Sequence, residues 1–132
     1  MVIERDGGQG DPSLACAEGE TEGCFRLPAR VKRVTVIDTA QIDAEGFVAR
    51  LRQIDLMDIA DPDGVARLPT DGEVAEDRFT FPFVTIESVI RDGADHIVVG
   101  NDNNLPFSAG RRLNMADNNE MIRLYVPELL AD

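Results

Sequence analysis

Four short oxygen-bearing side chains stand side by side at Asn101, Asp102, Asn103 and Asn104. Carboxylate and amide oxygens are the ligands of hard cations, so this run suits calcium. Glu87 adds a carboxylate from the strand expected just before it, which makes the candidate metal set Glu87, Asn101, Asp102, Asn103 and Asn104. Arg111 and Arg112 follow, and a guanidinium suits a phosphate or carboxylate, so Arg111 is the candidate contact for an anionic substrate. Calcium held beside it would neutralise phosphate charge and activate water. The same residues also read as a turn, because Asn and Asp side chains bond nearby backbone and tolerate left-handed conformations.

Neither acidic loop follows the helix-loop-helix calcium pattern. Counted from Asp102, the sixth position is Phe107 where Gly is needed, and the twelfth is Leu113 where Glu is needed. The Asp61-Pro62-Asp63-Gly64 stretch would put Ile59 first and Thr70 last, neither in keeping with that loop. His96 is the single histidine and no G-x-S-x-G turn occurs, which argues against a Ser-His-Asp hydrolase. Ser88 has no evident base, and His96 beside a turn reads better as a hydrogen-bonded turn residue. Cys16 and Cys24 with one distant histidine make a poor zinc set; in an oxidising compartment they could close a small loop. The Glu4-Arg5-Asp6 cluster reads either as part of a charged site or as the rim of a turn.

The elements that must position these groups are mostly strands. Residues 85–91 and 96–100 mix β-branched with polar residues on either side of Gly93-Ala94-Asp95, the pattern of a hairpin. Further strands are expected at Val2–Arg5, 31–38 and 121–126. Residues 41–59 are ambiguous: Phe47, Leu51 and Ile54 fit helical spacing, whereas a strand face fits less cleanly. Pro62, Gly64, Pro69 and Gly72 mark 58–77 as a long connection, and the alternating Phe79, Phe81 and Phe83 read as core. The 132 residues allow one domain. The net charge of −12 would repel a nucleic-acid backbone, and no run approaches the roughly 20 apolar residues of a membrane span.

The stretches FPFVTIESV (81–89), VVGNDNNLPFSAGR (98–111) and NNEMIRLYVPEL (118–129) together resemble the C-terminal part of the phytase-like family, "esterase-like activity of phytase". IERDGGQGD (3–11) and KRVTVIDT (32–39) are similar to an earlier strand and turn of that family, in the same order. The resemblance implies an all-β, mainly antiparallel partial β-propeller of about one to two blades with long loops. It places a strand near 47–55, then a short helix or turn.

The resemblance also implies calcium-dependent hydrolysis of a phosphorylated or ester small molecule, in a periplasmic or secreted setting. The alternative is a non-catalytic propeller module binding a ligand, a cation or a protein. The N-terminus lacks the basic and apolar regions of a signal peptide. For such a family this predicts that residues 1–132 are the C-terminal portion of a propeller domain, inactive without the remaining blades. Some of Phe81, Phe83, Ile86 and Val98 are then expected to lie uncovered.

Overall fold

The computed structural model describes residues 1–66 and 68–131. Alternation of β-branched residues builds two three-stranded antiparallel sheets. The first has the order β1 (Val2–Arg5), β2 (Lys32–Ile42), β3 (Val48–Asp55). Between these sheets in sequence lies the short ladder of β4 (Ile59–Ala60) with β5 (Arg78–Phe79). The second sheet has the order β6 (Ile86–Asp92), β7 (His96–Asn101), β8 (Met121–Tyr125). A one-turn helix, α1 (Pro127–Leu130), follows. The chain is all-β and antiparallel, and each sheet is one strand short of a four-stranded propeller blade.

The β6–β7 turn uses Gly93 at φ 75°, a left-handed conformation that a side chain would strain. Central β7 points Ile97 and Val99 inward, both fully buried. They meet Val34 of β2, Leu56, and the alternating Phe79, Phe81 and Phe83 in one core, which Leu129 and Leu130 of α1 close from the end. Phe81 and Phe83 pack edge to face at 4.8 Å between centroids. The expectation of an uncovered apolar face at these residues is corrected here. Phe81, Phe83 and Ile86 are 0%, 0% and 1% exposed and Val98 is half-buried, because the two sheets and the phenylalanine segment cover one another.

The ambiguous region resolves as strand. β3 pairs with β2 from Arg33↔Asp55 to Ile42↔Val48, and a turn after Asp55 follows. Phe47 and Leu51, whose spacing suggested a helix face, are exposed. With no core under them, their periodicity had nothing to stabilise, and the ladder offered by β2 decided the conformation.

An ion pair between a buried lysine and a partly exposed aspartate locks the first sheet to the glycine-rich turn. Lys32 is fully buried, and its ammonium donates to the Asp6 carboxylate at 2.6 Å and to the carbonyls of Asp6 and Gly8. The Asp6 carboxylate also accepts the N–H groups of Gly8, Arg30 and Val31. Burial raises the Asp6 carboxyl, but the Lys32 bond and these three N–H groups outweigh it and hold the pKa at about 2. Glu4 pairs with Arg50 and accepts from the Thr35 hydroxyl, so Glu4 and Asp6 both hold structural partners in the first sheet. Cys16 and Cys24 form a disulfide with Cα atoms 4.9 Å apart.

Candidate functional site

β7 ends at Asn101, and the chain runs through an irregular loop before returning as β8. The backbone N–H of Asn101 reaches the Glu120 carbonyl at 3.1 Å. The Asn101 amide spans the same gap, accepting from the Glu120 N–H at 2.8 Å and donating to the Asn118 carbonyl at 3.3 Å. Farther out, the Asn103 N–H donates to the Asn119 amide at 2.8 Å. Asp117 cradles the arginine end of the loop, its carboxylate accepting from the N–H groups of Gly110 and Arg111 at 2.7 and 2.9 Å. The loop is pinned at both ends by its own polar side chains.

The asparagine run thus serves largely as turn chemistry. Asp102 accepts from the Asn104 N–H through one oxygen, and Asn103 accepts from the Leu105 N–H. Asn104 sits at φ 50°, the left-handed region this residue type tolerates. Glu87 is exposed at the bulge between the pairs Ile86↔Asn101 and Ser88↔Gly100, so the two halves of the candidate metal set do sit at neighbouring strand positions. Among the described residues no three His, Cys, Asp or Glu side chains converge as a metal group. Among the described residues, the oxygens of this set without a hydrogen bond belong to Glu87, Asn104 and one side of Asp102. Carboxylate and amide oxygens are of the type that calcium takes, but these side chains do not enclose an ion.

Arg111 is 7% exposed and lies inward of this loop. Its Nε and Nη2 donate to the two oxygens of Glu120 at 3.2 and 2.7 Å, a bidentate pair. Nη1 donates to the Thr80 carbonyl at 2.9 Å, and the guanidinium carbon lies 4.9 and 5.1 Å from the Phe79 and Phe83 ring centroids. Of the five N–H groups of a guanidinium, these bonds engage three and leave two. Glu120 and Thr80 were not among the sequence candidates. The polar run before β8 was a signal for Glu120; Thr80, between two phenylalanines, carried none.

Ser88 donates weakly to the Gly100 carbonyl at 3.4 Å, and His96 packs against Tyr125 with ring centroids 5.2 Å apart. Both therefore have structural partners in the second sheet.

Residues 1–105 match the family model described as "Phytase-like: Esterase-like activity of phytase". The chain belongs to the phytase-like family. No curated protein and no solved structure matches it. The matched part takes in Glu87 and the asparagine run; Arg111 and β8 lie beyond it. No helix among the described residues is long and apolar enough to cross a membrane.

Proposed function

We propose that this phytase-like chain takes part in hydrolysis of a phosphoester or carboxylic ester, with the loop between β7 and β8 on the substrate side. The family match carries the reading. Arg111 would meet an anionic group of the substrate through its two unengaged N–H groups, and the bidentate bond to Glu120 holds its plane in place. Glu87, Asp102 and Asn104 would hold a calcium ion, with Asn101 and Asn103 shaping the loop around it. Such an ion supplies charge neutralisation at phosphate and a more acidic water. The Cys16–Cys24 bridge supports a periplasmic or secreted setting, where disulfides persist.

Turnover of 4-nitrophenyl phosphate and 4-nitrophenyl acetate, each with calcium and with chelator, tests the reading. Calcium-stimulated release of nitrophenol from either ester is expected. Absence of turnover on both, with and without the other blades of a propeller supplied, would overturn hydrolysis and leave the non-catalytic binding module.

A further inference from the structure

β8 is the last strand of its sheet, and its register with β7 fixes which of its backbone groups are paired. The pairs Ile97↔Leu124 and Val99↔Ile122 fall in line with two bonds just beyond them. These are Val126 N–H to the Asp95 carbonyl and Asn101 N–H to the Glu120 carbonyl. Hydrogen-bonded pairs alternate along an antiparallel ladder, so Ile122 and Leu124 turn their N–H and C=O groups toward β7. Met121, Arg123 and Tyr125 turn theirs away from it, and among the described residues those groups have no partner. Other strands blunt their edges with irregularity: β3 carries two register shifts against β2, and β6 carries one against β7. β8 pairs regularly over its five residues. An unbulged free edge is a template for another strand.

We infer that the free edge of β8 receives an extended basic peptide segment of another protein as a fourth strand of the second sheet. A cavity of about 460 Å³ lies against β8, lined by the run from Arg123 to Val126. Consecutive strand residues point to opposite faces, so a space that all four line sits at the edge between the faces. Across it stand Ile54, Asp55, Asp58 and Ile59. The floor is apolar, since Ile54, Ile59 and Leu124 pack against the core. The rim is acidic. Asp55 and Asp58 are exposed, and the one guanidinium of the lining, Arg123, is already held by Asp92 at 2.6 Å. Arg78 reaches Asp58 at 3.5 Å, and among the described residues Asp55 has no cation. An added strand would set alternate side chains on the floor and the others outward, so apolar residues alternating with lysine or arginine fit it. A second copy of β8 fits less well, because it would bring together two chains of net charge −12.

The inference does not rest on the hydrolase reading, and its test measures binding alone. Amide hydrogen exchange is followed in the isotopically labelled full chain, with and without a short peptide of alternating lysine and valine. In the free chain the amides of Met121, Arg123 and Tyr125 should exchange fast, and those of Ile122 and Leu124 slowly. Saturating peptide should slow the first set. A peptide of alternating lysine and proline, equally charged but unable to extend a ladder, should not. Arg123→Pro removes the central outward N–H and should weaken binding about tenfold relative to Arg123→Ala, which loses the same charge and keeps the N–H. Asp55→Asn combined with Asp58→Asn should weaken it about threefold and reduce its salt dependence. Equal affinity for the two peptides, or no protection gained at Met121, Arg123 and Tyr125, would overturn the inference whether or not Arg123→Pro folds. So would protection of those amides in a free chain that sediments as a dimer, because a second copy would then hold the edge.

Discussion

Two polar centres lie inside this protein and differ in one respect. At Asp6–Lys32 every donor of the ammonium meets an oxygen, and the Asp6 carboxylate meets Lys32 and three N–H groups. At Arg111–Thr80–Glu120 the ion pair is equally well formed, but among the described residues the Thr80 hydroxyl and two Arg111 N–H groups find no partner. Buried polar groups are normally satisfied, so the first centre is explained by folding alone. The second has capacity that folding does not use. That difference separates a clamp from a candidate site more sharply than residue type does, since both centres pair a cation with a carboxylate.

The contrast breaks most visibly at the clamp. Asp6→Asn leaves Lys32 buried opposite a neutral group and should cost about 3 kcal/mol in denaturant unfolding. Because the folded carboxyl titrates at about 2 against an ordinary 3.8, its contribution is complete above 3.8 and lost as pH falls through about 2. Wild-type stability should fall across that window and the variant's should fall less; parallel pH profiles would show that Asp6 is not the group responsible.

Replacing Cys16 and Cys24 together by Ser should destabilise by about 2–3 kcal/mol, the entropy of a short closed loop. The loop lies outside both polar centres, so the change sharpens the comparison by lowering stability while the pH profile of the clamp persists. A melt unaltered by reductant would contradict it.

Asp102→Ala should weaken calcium binding in calorimetry, since Asp102 and Glu87 carry the formal charge of the candidate metal set. Unchanged calcium affinity would move any ion elsewhere. The smallest effect is expected at Thr80→Val, where stability should hold within about 1 kcal/mol or rise, because an unpaired buried hydroxyl gives way to a methyl group. A loss of several kcal/mol there would mean that the hydroxyl serves folding after all, and the two centres would be alike.

Local patterns carried a good part of this fold. Alternation with Gly93 at the turn marked the β6–β7 hairpin, and Met121–Tyr125 was legible as the last strand. The phenylalanine alternation at 79, 81 and 83 identified core, because side chains two apart share a face wherever the chain is extended. Residues 47–54 misled by periodicity, since the pattern cannot say whether a core lies beneath it. The asparagine run was legible as turn chemistry because Asx bonds join residues two apart.

Sequence alone therefore determined the β class, most strands, the family resemblance, and the residue types available at the loop. Tertiary structure decided which of those types meet. Asp6 finds Lys32 across 26 positions, and Arg111 finds the Thr80 carbonyl across 31. Such pairs depend on how two sheets and a connecting segment stack, which no short spacing encodes. The Thr80 hydroxyl is the clearest case: in sequence it is a polar residue between two phenylalanines, and only the packing around it makes it a buried group without a partner among the described residues.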